Sequence, residues 1–542
     1  MRMGGIRQGW WRERLRPFLL IVLSGAIAMF VWGCGSSESE GGGGSEAGGA
    51  GNTLNVALNS GISTIDPAFA CFPTYDYWVV KNTYDTLVQY GTKRDANGQA
   101  EIRPDLAKSW KISKDGLTYT FNLRHDVTFA SGDPMTASDV VYGFQRLIAK
   151  GGCQEYVLTL GEPNAVESVK ATGKYTVQFK IGKPSPIFLG QLTQTGLSPV
   201  DQKELEKHGG LSKAGDDWIA THSAGTGAYQ VTEYHPDSQV VLTARDDYWQ
   251  GKPGISRVVF QIVNDPSTLN TLIQSNQVDL AYGVPPKDVK SLEDSGRKLV
   301  SEPGPWFIYL GMNTKKAPFD DPDVRRAVKL SMNRTEMAEA LGYGYAQPIE
   351  GPMPPTMPFR PDLPVTEQNV AEAKQLISKA GADGASVTID VKAGDELENQ
   401  VATVVQASLS EIGLDAHVST LGASAFTGKV SGFDTQAYVI RDGTPFNDPA
   451  YFLGFFVKCE NPFNWTQYCN PKVDELIAQG RYSLNPDVRK KAYGEISEIV
   501  AEEDPMVPLL GIEPLAVASP SLKGYVAYDD LQPVFWKMSI GE

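Results

Sequence analysis

The stretch Arg103 to Asp133, RPDLAKSWKISKDGLTYTFNLRHDVTFASGD, decides the fold, and its most regular part is Leu117 to Leu123 (LTYTFNL). Apolar and polar residues alternate there with a period of two, the pattern of an antiparallel strand buried on one face. Lys174 to Ile181 (KYTVQFKI) repeats it. Together they predict a β-rich subdomain over about residues 86–215. Helix is expected there only locally, as at Ala137 to Ala149, where Ser138 or Asp139 is in place to cap the first turn.

Outward from this region the pattern changes. Upstream, Thr53 to Leu58 (TLNVAL) reads as a strand followed by a polar turn with Gly61 and Asp66-Pro67. Downstream, Arg257 to Val263 (RVVFQIV) is a continuous apolar run of the kind buried on both faces of an α/β sheet. A helix over Pro266 to Gln274 and a strand over Val278 to Ala281 complete a strand, helix, strand unit. Another apolar run, Trp306 to Gly311, precedes a helix that Asp321 caps and Pro322 starts, with Val324, Ala327, Val328 and Met332 on one side. Further elements are expected at Val370 to Lys379 (helix), Val387 to Val391 (strand), Glu398 to Glu411 (helix), Ala416 to Thr420 (strand) and Pro486 to Glu503 (helix). The roughly 490 residues after position 52 exceed the ~250 to 300 at which single cores stop growing, so two lobes are expected. The first takes 53–303 and the second 304–503, and 504–542 returns to the first.

The N-terminus reads as an export signal. Arg2, Arg7, Arg12, Arg14 and Arg16 precede sixteen uncharged residues, Pro17 to Trp32, and then Gly33 and Cys34. A small residue before a cysteine resembles a bacterial lipobox, so residues 1–33 are expected to be removed and Cys34 acylated. Sixteen apolar residues fall short of the roughly 20 needed to span a bilayer. Residues 34–52, rich in Gly, Ser and Glu, cannot bury a core and should act as a flexible tether. At about 5 to 6 Å times the square root of length, the eighteen residues after Cys34 span on the order of 24 Å.

Charge and cysteine content narrow the class. The chain carries −15, and without residues 1–33, which hold five arginines and one glutamate, −19. That argues against binding nucleic acid, which needs clustered Lys and Arg, and against lying flat on an anionic membrane. With Cys34 acylated, Cys71, Cys153, Cys459 and Cys469 remain, an even number that suits an oxidising compartment. Of the three possible pairings, Cys459 with Cys469 would close a short loop, and Cys71 with Cys153 avoids bridging separate lobes. His125, His208, His222, His235 and His417 lie far apart, and no metal site can be argued from spacing.

No catalytic signature is found. GxSxG and HExxH are absent. Gly422 to Val430 (GASAFTGKV) only approximates a phosphate loop and is read as an ordinary loop, and Asp246-Asp247 and Asp320-Asp321 as turn or helix-start acids. Neither an enzyme nor a cofactor is expected. Aromatic residues are more informative: Trp306, Phe307 and Tyr309 sit at the lobe junction, and Phe446, Tyr451, Phe452, Phe455, Phe456 and Trp465 crowd a loop-rich region. Apolar clefts with a few polar anchors hold small ligands.

Several blocks, in order, resemble the family 5 extracellular solute-binding proteins, which include the dipeptide- and oligopeptide-binding proteins of ABC importers. They are Arg103 to Asp133; Gly225 to Tyr229 (GTGAY), Asp247 to Gly251 (DYWQG) and Asp265 to Asp279; Met312 to Arg334 (MNTKKAPFDDPDVRRAVKLSMNR); and Asn447-Asp448-Pro449 with Asn470-Pro471. The resemblance implies an α/β, two-lobed periplasmic-binding-protein-like fold with crossover hinge strands and an inserted β-rich subdomain. It also implies lobes that close on a ligand, and delivery to a permease powered by separate ATPase subunits. The protein is expected to be monomeric and extracytoplasmic, lipid-anchored on the cell surface or the periplasmic side.

Peptide binders of the family hold the ligand's α-amino group with an aspartate three residues before the acid of the late Asp-Pro motif. Counting back from Asp448 reaches Pro445, and Asp442 takes that role if the loop carries an insertion. Arg441 or Arg360 would pair a ligand carboxylate. Trp306, Tyr309 and Phe446 would form apolar walls, with Asp448 ordering the loop. A short peptide is the first expectation. The others are a sugar, an opine-like compound or a metal chelate, or a sensor or folding helper uncoupled from import.

Overall fold

The strand Thr53–Leu58 lies inside a seven-stranded sheet, and its neighbours explain its composition. The computed structural model describes residues 52–71, 74–300, 304–444, 446–526 and 532–541, so the signal, Cys34, the tether up to residue 51 and Pro445 lie outside the described residues. The sheet runs in the order Lys298–Leu299, Ala516–Ala518, Leu280–Tyr282, Thr53–Leu58, Arg257–Ile262, Gln239–Ala244, Tyr229–His235. Thr53–Leu58 is parallel to both of its partners. Leu54, Val56 and Leu58 enter a core with Tyr229 and Phe260, while Ala57 meets Leu269, Ile273 and Val289 of the helices on the other side. Both faces are covered, which is why this part of the chain reads as continuous apolar runs.

A six-stranded sheet forms the second lobe, in the order Ala346–Pro348, Met506–Ile512, Trp306–Met312, Ala437–Asp442, Ser386–Lys392, Asp415–Leu421. Along Trp306–Met312, Phe307 and Tyr309 enter one core and Ile308, Leu310 and Met312 the other. Here the expected boundary moves. Met506–Ile512 is wholly buried and pairs with Trp306–Met312, so the chain returns to the first sheet only at Ala516, about ten residues later than read from sequence. The chain thus crosses between the sheets twice, between Leu299 and Trp306 and between Ile512 and Ala516. Inside the second lobe, Lys329 lies 2.9 Å from Glu350 and 3.0 Å from Asp504, and Arg334 lies 2.7 Å from Glu350, all of them buried.

The inserted subdomain is a four-stranded antiparallel sheet, Ala107–Ile112, Thr118–Leu123, Thr176–Ile181, Val166–Gly173. Tyr119, Phe121, Leu123, Val177 and Phe179 enter the core shared with the helix Ala137–Lys150. That helix is capped two residues earlier than Ser138, the nearer of the two expected caps. Thr136 is the N-cap, and Asp139 reaches back to accept from its N–H at 2.8 Å, a reciprocal pairing that Ser138 cannot make. A separate hairpin pairs Val88–Arg94 with Ala100–Pro104.

Two segments expected as loop are helical. Ala423–Ser431 buries Phe426 and Val430, four residues apart, and Lys429 reaches buried Asp390 at 2.7 Å. Pro449–Phe456 starts on the Asp448 cap and is buried nearly all round, so it has no amphipathic period to read. Disulfides join Cys71 to Cys153 and Cys459 to Cys469.

Candidate functional site

Strand Ala437–Asp442 lies between an antiparallel neighbour and a parallel one and ends on two charged residues. Successive side chains point to opposite faces, so Asp442 shares the face of Tyr438, with Phe307 beside it on the next strand. Arg441 takes the other face. It forms an ion pair with Asp395, its Nε is 4.0 Å from Glu398, and its backbone N–H donates to Glu398 Oε1 at 3.1 Å. Trp306 adds a cation–π contact at 6.0 Å. Burial works to lower the Arg441 pKa, but Asp395 and Glu398 hold it above its ordinary value. Glu398 itself is pushed up to about 7, chiefly by burial and then by Asp395.

Asp442 has no such company. Its Oδ1 accepts from the Gly443 N–H at 2.7 Å, and among the described residues no lysine or arginine lies within ion-pair distance of it. Burial pushes its carboxyl up to about 7, relieved only by that N–H and by Lys392, on the neighbouring strand Ser386–Lys392. Its negative charge is felt by the phenols of Tyr309, Tyr438 and Tyr451.

The opposite wall comes from the first lobe. Tyr156 of the first lobe packs on Tyr451 at 6.3 Å, Tyr77 also raises the Tyr451 pKa, and Tyr75 feels the charges of the Arg441–Asp395 pair. Tyr77 donates to Gln194, and Tyr75 donates to Asn59 at 2.6 Å and packs on Trp78 at 4.7 Å. The lobes touch at several further points. Lys287 meets Glu396 at 2.5 Å, Asn461 donates to the Tyr156 hydroxyl at 2.6 Å, Gln99 donates to Asp448 at 3.4 Å, and Arg481 donates to the Thr159 carbonyl at 2.6 Å.

The remaining residues singled out from sequence take varied positions. Trp306 is half-buried beside Arg441. Tyr309 is fully buried, stacked on Phe307 at 4.9 Å. Phe446 is buried against Tyr451 at 5.1 Å and borders a cavity of about 470 Å³ that also takes in Ile102, Ile187 and Asp448 but not Asp442. Asp448 caps the helix Pro449–Phe456 and binds buried Arg489 at 2.7 Å through both oxygens. Arg360 donates to the carbonyls of Met353 at 3.1 Å and Glu350 at 3.2 Å. Tyr75, Tyr77 and Tyr156 were not anticipated. The aromatic run Tyr75 to Trp78 (YDYW), a few residues past the Asp66-Pro67 turn, is the one signal that marked two of them.

Among the described residues no group of His, Cys, Asp and Glu is arranged to hold a metal ion, and no helix is long and apolar enough to cross a membrane. Residues 101–464 match the family described as bacterial extracellular solute-binding proteins, family 5 Middle. The chain belongs to that family. Family 5 proteins are substrate-binding components of ABC importers that work outside the cytoplasm, not enzymes. Among its family 5 relatives, a probable D,D-dipeptide-binding periplasmic protein, DdpA of Escherichia coli, is 27% identical over 87% of this chain and 91% of its own. Heme-binding protein A of Haemophilus influenzae is 26% identical over 85% of this chain and 87% of its own. Of solved family 5 structures, DppA of Helicobacter pylori in complex with the peptide STSA superposes with a TM-score of 0.82 at 25% identity, covering 91% of this chain and 98% of that one. The two-lobed architecture is therefore that of the periplasmic binding proteins.

Proposed function

We propose that this protein is the lipid-anchored receptor of an ABC importer, captures short peptides with a free amino group by closure of its lobes, and delivers them to a membrane permease. In this reading residues 1–33 are the signal, Cys34 carries the lipid, 34–52 form the tether, and the lobes close about the two crossing segments. The observation that carries the ligand class is Asp442, a desolvated carboxylate with no lysine or arginine within ion-pair distance among the described residues, whose charge reaches Tyr309, Tyr438 and Tyr451. A ligand ammonium would supply the missing charge, and without one the carboxylate holds its proton or stays costly to bury. Phenols and apolar rings suit side chains of varied size.

The test is to purify the protein natively, denature it and identify the released small molecules by mass spectrometry. Short peptides are expected, and recovery of only amine-free compounds overturns the peptide reading. A second reading, the same transport role with a sugar, an opine-like compound or a metal chelate, has its own support. Arg441 is engaged by Asp395 and Glu398, and Arg360 by backbone carbonyls, so neither is at hand for a peptide's carboxylate. The heme-binding relative is a precedent for a metal chelate on this fold.

A further inference from the structure

The mature chain is strongly acidic, but its charge is unevenly spread. The four-stranded sheet and its two tight turns, residues 107–123 and 166–183, carry seven lysines against two acids, Asp115 and Glu167. The fold places three of the seven, Lys111, Lys170 and Lys180, on one surface. The alternate residues Tyr119, Phe121, Val177 and Phe179 are buried, so their strand neighbours form the outer face. There Lys111 stands opposite Thr120, Thr120 opposite Gln178, and Gln178 opposite Lys170. One row across the sheet thus reads Lys, Thr, Gln, Lys, with the two lysines about 14 Å apart at three strand spacings of about 4.8 Å. Both are exposed, and neither has a carboxylate within ion-pair distance among the described residues. The polar groups between them are tied to one another, Gln178 to Thr120 at 3.4 Å and Asn122 to Ser109 at 3.1 Å. Lys180 adds to the same face, partly balanced by Glu167 at 2.7 Å.

We propose that this outer face docks on the anionic phospholipid headgroups of the membrane to which the chain is tethered. Proximity rests on the lipid-anchor reading, since eighteen tether residues span on the order of 24 Å. Orientation rests on charge. The rest of the body is acidic and repelled by an anionic surface, and the lysine face is attracted once it comes within a Debye length of about 8 Å. Net charge, which argues against the body lying flat, here selects which side approaches.

The test uses the mature chain carrying Cys34→Ser, so that no acyl chain contributes, sedimented with vesicles of pure phosphatidylcholine or of phosphatidylcholine mixed equally with phosphatidylglycerol. Binding only to the anionic vesicles, lost in high salt, is expected. Lys111→Glu with Lys170→Glu should weaken it more than tenfold, and Lys111→Gln with Lys170→Gln by less. Lys213→Glu, an exposed lysine remote from this sheet in sequence, should leave it nearly unchanged. Both Lys111/Lys170 pairs are surface changes, and an unaltered melting curve checks folding. Equal weakening by Lys213→Glu, no binding to anionic vesicles, or binding to inorganic polyphosphate but not to vesicles overturns the proposal. Acylation of Cys34 is read separately from the mass of its peptide in the native protein, so the two readings can fail independently.

Discussion

Arg441 and Asp442 are adjacent in sequence and meet opposite circumstances. Arg441 turns to two carboxylates of its own lobe, and Asp442 turns to phenols with no lysine or arginine within ion-pair distance among the described residues. The empty protein holds a proton on Asp442 up to about pH 7, whereas an ammonium ligand requires the carboxylate. Affinity for an amine-bearing ligand is therefore expected to fall about tenfold for each pH unit below that value. Asp442→Asn should weaken such a ligand more than tenfold and abolish the slope, both read by calorimetric titration across neutral pH; an unchanged affinity would remove Asp442 from the site. The same shift bears on folding. The folded pKa lies above the unfolded value of about 3.9, so stability is lost as pH rises from there to about 7. Asp442→Asn should accordingly raise the Tm of the ligand-free protein at neutral pH and leave it nearly unchanged near pH 4.

Three helices that begin with a capping side chain and a proline were legible from sequence, whereas Pro449–Phe456, which starts on Asp448 in the same way, was not. Pro266–Gln274 and Pro322–Leu330 start on Asp265 and Asp321, whose carboxylates accept the first-turn N–H groups, and Pro486–Glu503 starts on Asn485 in the same way. Ala423–Ser431 was not, because its glycine and threonine lower helix propensity and only Phe426 and Val430 anchor it. The site divides similarly. The charged end of Ala437–Asp442 could be read near the Asp-Pro motif, but Tyr156 lies nearly three hundred residues away in a different sheet's neighbourhood, and only tertiary packing brings it to Tyr451. Burial of charge gives a sharper expectation. Lys329 links the helix Pro322–Leu330 to Glu350 and to Asp504 at the end of Pro486–Glu503. Replacing it by Met strips two buried carboxylates of a partner, and urea unfolding should show a loss of about 3 to 5 kcal/mol.

At the scale of the whole molecule, one set of contacts between the lobes centres on Arg481. Arg481 of the second lobe donates to the Thr159 carbonyl and lies 3.6 Å from Glu162, which also meets Lys458 at 3.2 Å. These groups form a latch that a ligand need not touch. Arg481→Ala is expected to shift the protein toward open conformations, read as a larger radius of gyration by small-angle scattering, and to speed release of whatever ligand is recovered natively. An unchanged radius and release rate would show that the latch does not bias closure. The two disulfides flank this surface. Cys71–Cys153 fastens the start of the helix that carries Tyr156, and Cys459–Cys469 closes the loop that carries its partners Asn461 and Phe463. Each joins two points of the same lobe, and neither spans the gap. The cross-links therefore harden the jaws of the vice without shortening its stroke, so a thiol reductant should blunt the grip while leaving the hinge free to swing.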